Sequence, residues 1–272
     1  MTVERIERRF AELEKQRRTA LVVYLVIGDP SVEDAKACAL AALEAGADAL
    51  ELGVPFSDPT ADGPVIAAAA YRAIHRGGSL RAGLEVARAV RAKHDAPLVL
   101  FTYYNPILAF GEAELAIAAR DSGVDALLVV DLPPEEGASL RSAAAKAGVG
   151  FIPLLAPTSD REREERAFAG ASGFVYYVSL TGVTGAHGVS MRDASLRANE
   201  LRARAKLPVV VGFGIDSAEK ARVAREHGVS GIAVGTAVVK AIAAGKDTAA
   251  RVEAVRALVK ELRAGLDGSA GG

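Results

Sequence analysis

Ala45-Gly-Ala-Asp-Ala-Leu50 joins the end of a predicted helix to a short apolar strand, and this unit recurs along the chain. The related segments are Ser122-Gly-Val-Asp-Ala-Leu127, Ala147-Gly-Val-Gly-Phe-Ile152 and His227-Gly-Val-Ser-Gly-Ile232. Each reads as a helix end, a glycine and a buried strand. The units span roughly 25 to 30 residues, which is the size of a βα module. This internal repeat indicates an architecture of alternating strands and helices.

Eight apolar runs have the length of strands, and amphipathic stretches of helical period lie between them. The runs are Leu21 to Ile27, Ala49 to Leu52, Leu98 to Thr102, Ala126 to Val130, Gly150 to Leu154, Phe174 to Ser179, Val209 to Gly212 and Gly231 to Gly235. An extra helix over Val3 to Lys15 precedes the first strand, and Ser31 with Asp34 forms a capping box for a helix that ends at Gly46. The pattern predicts the α/β class and favours a closed (β/α)8 TIM barrel, with a doubly wound sheet as the alternative.

The bulk composition points to one globular domain with a small ligand. The 272 residues are 50% hydrophobic with a net charge of −1, which gives no electrostatic reason to expect nucleic acid or a membrane as partner. The single cysteine, Cys38, falls on an alanine-rich helical face and is expected to fill the core. With no disulfide framework and no signal-peptide pattern, we expect a cytoplasmic protein. Residues 1–265 are predicted to form the barrel domain and residues 266–272 a flexible tail.

Two carboxylates surround an irregular turn directly after the second predicted strand, in Glu51-Leu-Gly-Val-Pro-Phe-Ser-Asp-Pro-Thr-Ala-Asp62-Gly-Pro64. A Glu inside a buried strand costs several kcal/mol unless something compensates it. Catalytic groups of such barrels lie at the carboxyl ends of strands and in the following loops, where Glu51 and Asp62 fall. Two carboxylates in unequal environments can divide acid and base roles. The alternatives are a buried structural ion pair for Glu51 and an ordinary turn residue for Asp62.

The turns after the last two strands have the pattern of a phosphate site. Gly212-Phe213-Gly214 and Gly235-Thr236 each run from glycine toward a helix start, and neither contains a basic residue. Backbone N–H groups and a helix N-terminus can hold a phosphate dianion without Lys or Arg. The alternative is that these glycines only permit tight turns.

The remaining polar motifs are less specific. Ser179 to Gly188 is rich in Gly and Thr, and is interpreted either as a lid or as an ordinary loop, with His187 exposed in it. Tyr176, inside the sixth predicted strand, could direct its hydroxyl to the barrel mouth. The other three histidines show no metal-ligand spacing, so no metal site is predicted.

Several of these motifs together resemble the tryptophan synthase alpha subunit family over nearly the whole chain. The motifs are the Glu51 to Pro64 stretch, Phe101-Thr-Tyr-Tyr-Asn-Pro-Ile107, Asp131-Leu-Pro-Pro-Glu-Glu136, Thr181-Gly-Val-Thr-Gly185 and Gly212-Phe-Gly-Ile215. The resemblance implies a cytoplasmic lyase of tryptophan biosynthesis that cleaves indole-3-glycerol phosphate to indole and glyceraldehyde 3-phosphate by a retro-aldol reaction. It implies an alpha2-beta2 heterotetramer with a separate beta subunit. Pyridoxal phosphate is expected in that beta subunit and no cofactor in this chain.

The resemblance also implies a role for individual residues. Glu51 matches the family's proton shuttle, and Asp62 matches the aspartate placed against the indole N–H. Thr184 matches a lid threonine that orders Asp62. The other positions match the phosphate turns, at Gly185, Gly212, Phe213, Gly214, Gly235 and Thr236, and the substrate pocket, at Tyr24, Ile66, Leu100 and Tyr176.

The chain departs from the common family pattern at three positions, and other functions stay open. Thr236 stands where Ser is frequent, Leu180 where some members have Arg, and Tyr24 where Phe is common. Thr236 keeps a hydroxyl donor for phosphate. The competing hypotheses are another phosphosugar barrel enzyme such as an isomerase, a stand-alone indole-3-glycerol-phosphate lyase that releases free indole, and a non-catalytic phosphate-binding barrel subunit. The last of these leaves Glu51 and Asp62 unexplained.

Overall fold

The strands of the described residues form one parallel sheet that curls into a barrel. The computed structural model describes residues 2–178, 190–212 and 214–268. The strands are β1 Ala20–Val26, β2 Ala49–Gly53, β3 Leu98–Thr102, β4 Ala126–Val129, β5 Gly150–Ile152, β6 Leu154–Leu155, β7 Val175–Val178, β8 Val209–Gly212 and β9 Gly231–Val234. Their order in the sheet is β5-β4-β3-β2-β1-β9-β8-β7-β6. The predicted (β/α)8 barrel is therefore confirmed.

Helices follow the strands and cover the outside of the sheet. In the described residues they are α1 Glu4–Lys15, α2 Val32–Glu44, α3 Pro64–Ile74, α4 Leu80–Arg91, α5 Tyr104–Phe110, α6 Glu112–Asp121, α7 Ala138–Ala147, α8 Arg161–Phe168, α9 Met191–Ala205, α10 Ala218–Glu226, α11 Thr236–Ala244 and α12 Thr248–Asp267. None of these helices is both long and apolar enough to cross a membrane.

The barrel closes through a strand that is interrupted at Pro153. The predicted fifth strand is present as two segments: β5 pairs with β4, and β6 pairs with β7. Proline has no N–H to donate to a ladder, so the strand cannot continue unbroken through this position. The carbonyl of Pro153 still accepts a hydrogen bond from Tyr176 N at 2.9 Å. Nine strand segments thus occupy the eight positions of the predicted barrel.

Side chains alternate between the inside and the outside of the barrel. Inward residues such as Val22, Val99 and Val210 form one apolar cluster, and Phe10 of α1 joins it. Their neighbours, for example Leu21, pack outward against the helices in a second, larger cluster. The extra N-terminal helix therefore covers the floor of the barrel, the end at which the strands begin.

The local helix predictions are confirmed at α2, and the C-terminal boundary is shifted. Ser31 Oγ accepts the N–H of Asp34 at 3.0 Å and donates to the Asp34 carboxylate at 2.6 Å. Cys38 is buried, and burial raises the pKa of its thiol to about 12, as suits a core residue. At the other end α12 continues to Asp267 with Leu266 buried, so the helix includes the first two residues of the predicted tail.

A buried aspartate ties α1 to the floor at the start of β2. Asp48 accepts the backbone N–H of Leu21 at 2.7 Å. It also accepts from Arg9 of α1 at 2.5 Å and from Arg263 of α12 at 2.9 Å. A carboxylate this deeply buried is tolerable because three donors compensate the loss of water.

The repeat predicted from the sequence places a second aspartate in the same role at the start of β4. Asp125 accepts the N–H of Leu98 at 2.8 Å, Arg91 at 2.7 Å and Arg5 of α1 at 2.9 Å. Asp48 and Asp125 thus occupy matching positions of two repeat units, and each holds one arginine of α1. We call these two residues the floor aspartates.

Candidate functional site

Glu51 lies at the mouth of the barrel, inside β2. Its side chain is 1% exposed, and both carboxylate oxygens lack a hydrogen-bond partner among the described residues. In the sheet register Glu51 is opposite Tyr24 of β1. Burial raises the pKa of the Glu51 carboxyl to about 8. No ion pair with the described residues compensates the charge, so the structural interpretation of Glu51 as half of a buried ion pair is not supported.

Asp62 lies in the loop between β2 and α3, and Tyr103 holds it there. The Tyr103 hydroxyl accepts the backbone N–H of Ala61 at 3.0 Å and donates a hydrogen bond to the Asp62 carboxylate. Partial burial raises the pKa of Asp62 to about 6, and the hydrogen bond from Tyr103 opposes that rise. At neutral pH Asp62 is therefore ionised while Glu51 still holds its proton, which is the division of roles that acid–base chemistry requires.

The charges of Glu51 and Asp62 both act on two tyrosines at the mouth, Tyr24 and Tyr176. Burial raises the pKa of Tyr24 strongly, and the charges of Asp62 and Glu51 add to the effect. The same three causes raise the pKa of Tyr176. The Phe101 ring lies between these tyrosines, with centroids 5.2 Å from Tyr24 and 6.1 Å from Tyr176. The structure thus brings Glu51, Asp62, Tyr24 and Tyr176 to one site, as predicted.

The glycines at the strand ends make room for these aromatic rings. A Cβ on Gly53 would lie 2.3 Å from the Tyr24 hydroxyl oxygen, and one on Gly235 would lie 3.2 Å from the Tyr24 ring. A Cβ on Gly212 would lie 2.5 Å from the Tyr176 hydroxyl oxygen. Gly212 and Gly235 therefore have a packing role that the sequence did not indicate, beside any contact with phosphate.

The turn after β9 leads directly into a helix N-terminus with no side-chain cap. Gly235 is the N-cap of α11 and Thr236 its first residue, and no side chain in the described part of the chain caps the N–H groups of the first turn. Free N–H groups and the helix dipole favour an anion at this end. Gly214, in the turn after β8, is exposed with φ +61°, a conformation that glycine adopts without strain. These features support the predicted phosphate site at Gly212, Gly214, Gly235 and Thr236.

The assignment of Leu100 to the substrate pocket is wrong. Leu100 is fully buried in the outer cluster, and its side chain lies against Gly83 of α4. Consecutive residues of a strand point to opposite faces, so the neighbouring Phe101 faces the interior instead. Ile66, by contrast, packs in the cluster that contains Tyr24 and Phe101, as predicted.

Three predicted site residues lie outside the described part of the chain: Thr184, Gly185 and Phe213. Leu180, His187 and the predicted lid from Ser179 also lie there. Among the described residues, no group of three or more His, Cys, Asp or Glu side chains is arranged to hold a metal ion.

Sequence reasoning missed Tyr103 as a member of the site. The sequence places Tyr103 in the Phe101 to Ile107 motif and, by resemblance, in the Tyr103 to Pro106 segment expected to meet the beta subunit, with no role at the site. A tyrosine directly after a strand end is nevertheless placed to reach the mouth. Its ring stacks on Phe56 with centroids 5.1 Å apart, while its hydroxyl contacts Ala61 and Asp62. Tyr103 therefore links Phe56, in the chain between β2 and Asp62, to the Asp62 carboxylate.

We expect Tyr103→Phe to weaken the site through Asp62. The change removes the donor that lowers the pKa of Asp62 and the acceptor of the Ala61 N–H. The pKa of Asp62 should then rise above about 6, and kcat/KM near neutral pH should fall by about tenfold. The pH profile of kcat/KM measures both effects. Tyr104→Phe is the matched control, because the Tyr104 hydroxyl donates to Glu112 at 2.9 Å and not to Asp62. If the acid limb of the pH profile does not shift in Tyr103→Phe, the role given to Tyr103 is contradicted.

We expect Gly53→Ala to destabilise the barrel mouth. The new methyl group would lie 2.3 to 2.6 Å from three atoms of the Tyr24 ring edge, so the buried ring must move. Overpacking of this kind costs about 1 to 3 kcal/mol in the free energy of unfolding. Urea unfolding of Gly53→Ala and Gly63→Ala measures it, because nothing lies within 4 Å of a Cβ on Gly63. Equal stabilities of the two variants would show that Gly53 is not packed as described.

A (β/α)8 barrel that carries a protonated carboxyl group and an ionised one at the carboxyl end of its strands is typical of a TIM-barrel enzyme. The family model for the tryptophan synthase alpha chain matches residues 10–267. This chain belongs to the tryptophan synthase alpha chain family, and the alpha chain is a lyase component of tryptophan synthase.

Individual relatives agree with the family match. The tryptophan synthase alpha chain of Citrifermentans bemidjiense is 47% identical over 239 residues, which cover 88% of this chain and 89% of the relative. The crystal structure of tryptophan synthase subunit alpha from Legionella pneumophila superposes with a TM-score of 0.89 at 34% identity, covering 97% and 98% of the two chains. A tryptophan synthase structure from M. tuberculosis in its aminoacrylate-bound form gives a TM-score of 0.86 at 32% identity, covering 96% and 99%.

Proposed function

We propose that this chain performs the alpha reaction, the retro-aldol cleavage of indole-3-glycerol phosphate to indole and glyceraldehyde 3-phosphate, with Glu51 and Asp62 as its catalytic residues. The observation that carries the assignment is Glu51. Its carboxyl is buried at the mouth, has no partner among the described residues, and keeps a proton to about pH 8. A buried carboxyl group that stays protonated at neutral pH can donate its proton to a bound substrate.

The two carboxylates supply the proton transfers that the reaction needs. Protonated Glu51 donates its proton to C3 of the indole ring, which leaves a cationic indolenine. The Glu51 carboxylate then removes the proton of the hydroxyl on the carbon attached to C3. The bond between that carbon and C3 breaks, its electrons neutralise the cationic ring, and Glu51 ends protonated as it began. Ionised Asp62, placed against the indole N–H, stabilises the positive charge in between.

The rest of the mouth binds the substrate. Tyr24, Phe101, Tyr176 and Ile66 give the indole ring an apolar pocket beside Glu51. The N-terminus of α11 at Gly235 and Thr236 receives the phosphate, with the Gly212 to Gly214 turn beside it. Thr184, Gly185 and Phe213 complete the phosphate and lid contacts in this proposal.

The proposed assembly is an alpha2-beta2 heterotetramer in the cytoplasm. The beta subunit would carry pyridoxal phosphate, and this chain would use no cofactor of its own. The surfaces that meet the partner are the Pro55–Pro59 loop and the Tyr103–Pro106 segment. The contact between Phe56 and Tyr103 supports this choice, because a displacement of the loop by the partner would move Tyr103 and, through its hydrogen bond, Asp62.

The test is release of glyceraldehyde 3-phosphate from indole-3-glycerol phosphate, with and without a tryptophan synthase beta subunit. We expect slow cleavage by the chain alone and strong activation by the beta subunit. Fast cleavage that the beta subunit does not change would instead identify a stand-alone lyase. Since the chain contains no tryptophan, the fluorescence of an indole ligand reports binding directly. Binding without cleavage under either condition would identify a non-catalytic barrel subunit.

A further inference from the structure

A large cleft opens at the floor of the barrel, at the opposite end from Glu51 and Asp62. It has a volume of about 660 Å³ and lies where α1 meets the loops that enter β1, β8 and β9. Residues that precede strands, such as Thr19, Pro208 and Ser230, line it. Because catalytic groups of a parallel barrel follow the strands, this floor cleft is separate from the mouth.

The floor cleft is lined by more cationic than anionic side chains, in a chain whose net charge is −1. Two carboxylates, Glu7 and Glu14, line it, and Glu14 forms an ion pair with Arg202 at 2.5 Å. The cationic side chains that line it are Arg17, Arg18, Arg202, Lys206 and Arg225. The side chains of Arg17 and Lys206 make no hydrogen bond or ion pair with the described part of the chain. Arg18 is paired with Asp267 at 3.1 Å and Arg225 with Glu226 at 3.8 Å. The positive charge that no described side chain neutralises is therefore that of Arg17 and Lys206.

The repeat of the sequence explains why charge is left over here. Asp48, Asp125 and Ser230 occupy the same position in three of the repeat units. The first two are the floor aspartates, each holding two arginines and a strand N–H. The other two units lack the carboxylate: one has Gly150 at this position and the other has Ser230. The Ser230 Oγ is buried without a hydrogen-bond partner in the described residues. Ser230 lines the floor cleft together with Arg17 and Lys206, so the cleft lacks the carboxylate that binds arginines at the positions of Asp48 and Asp125.

The backbone supports the same interpretation. In the described chain, the two non-glycine residues with positive φ are Arg17 at +54° and Lys206 at +55°. Both follow helix ends, where glycine is the usual residue because it avoids the strain of this conformation. Both line the floor cleft. Other helix ends in this chain have glycine, for example Gly148 and Gly268, so Arg17 and Lys206 occupy their positions at a conformational cost.

We propose that the floor cleft binds a small phosphate-bearing molecule with an apolar or aromatic body, the phosphate supplying the negative charge that the Ser230 position lacks. Arg17 and Lys206 would bind the phosphate, and the Ser230 hydroxyl would donate to it. Phe10, Leu13 and Leu207 form the apolar wall for the remainder of the ligand. The site is independent of the retro-aldol chemistry at the mouth.

Phenyl phosphate is a suitable probe, because it combines a phosphate dianion with one aromatic ring. Amide shifts in ¹H–¹⁵N NMR spectra separate the two ends: Thr19 and Gly228 report the floor, and Ala237 of α11 reports the mouth. We expect saturable shifts at the floor in the wild-type chain. Arg17→Gly/Lys206→Gly should raise the floor Kd about tenfold or more, since two charge-assisted contacts are lost. Glycine suits both backbone conformations, so this variant is expected to fold.

Two further variants sharpen the test. Ser230→Asp restores the carboxylate of the other units, and it should block floor binding while raising the melting temperature of the unliganded chain; Ser230→Asn is its neutral counterpart and should do neither. Lys146→Gln/Lys260→Gln removes the same charge from exposed positions outside the cleft and should leave the floor Kd unchanged. Absence of saturable floor shifts in the wild type overturns the proposal. So does a floor Kd that is the same in the wild type and Arg17→Gly/Lys206→Gly.

Discussion

Glu51→Gln is expected to lower cleavage of indole-3-glycerol phosphate by about 10³-fold while making the folded chain more stable. The loss of activity follows from removing the only proton donor proposed for C3, because general acid–base catalysis contributes about 10² to 10⁴ in rate. The gain in stability follows from the same burial that prepares the donor. An amide has no charge to desolvate, whereas the carboxyl of Glu51 is held without a partner among the described residues.

The gain should depend on pH in a defined direction. Burial raises the pKa of Glu51 from 4.5 in the unfolded chain to about 8 in the folded one. The folded state therefore holds more protons between these values, and the free energy of unfolding of the wild type falls as pH rises through them. Glu51→Gln lacks this loss. Relative to the difference at about pH 4, the variant should gain on the order of 3 kcal/mol by about pH 7, and the gain should level off above about pH 8.

Urea unfolding followed by circular dichroism at several pH values measures this difference. Glu164→Gln is the matched contrast. Glu164 is also 1% exposed, but Arg197 and Arg204 bind its carboxylate, so loss of its charge should destabilise the chain by about 3 kcal/mol or more. A Glu51→Gln variant that is less stable than the wild type at pH 8 would show that the Glu51 carboxylate has a partner.

Asp62→Asn is expected to lower kcat by about 10²-fold to 10³-fold and to remove the acid limb of the pH profile. Asp62 acts as a carboxylate, so activity should rise with pH through about 6, the value to which burial raises its pKa. Glu51 acts as an acid, so activity should fall through about pH 8. The wild-type profile of kcat/KM is thus bell-shaped between these values. An asparagine does not titrate, so its variant should retain only the basic limb.

The control for this experiment lies in the same loop. Asp58→Asn removes a neighbouring exposed carboxylate and, measured without the beta subunit, should leave both the rate and the acid limb unchanged. If Asp62→Asn kept the acid limb near pH 6, another group would be responsible for it. A profile with no acid limb in the wild type would show that Asp62 is ionised well below pH 6 or has no part in the reaction.

The fold was predictable because its signals are local. The capping pair Ser31 and Asp34 and the recurring helix, glycine and strand unit each specify structure within a few residues. The break at Pro153 was not predicted, although proline in an apolar run is a warning, because the run on both sides remains apolar. The pairing of the two halves with different neighbours depends on barrel closure, which no local pattern encodes.

The site was predictable where polar residues stand in apolar surroundings, and less so where packing decides. Glu51 and Asp62 were found for that reason. Leu100 and Phe101 differ by one position and are both apolar, so only the direction of the side chain in the strand separates pocket from outer core. Similarly, nothing in the sequence around Gly53 indicates that the Tyr24 ring occupies the space beside it, since that contact joins two strands.

The floor aspartates have a consequence for how the chain can be shortened or rearranged. Arg5 and Arg9 stand one helical turn apart on α1 and reach carboxylates that belong to different strands. A chain that begins after α1 would keep Asp48 and Asp125 but lose one counter-charge from each, and it would uncover the apolar floor beneath them. The N-terminal helix is thus part of the barrel core and not an appendage, and we expect it to separate from the barrel only when the barrel itself unfolds.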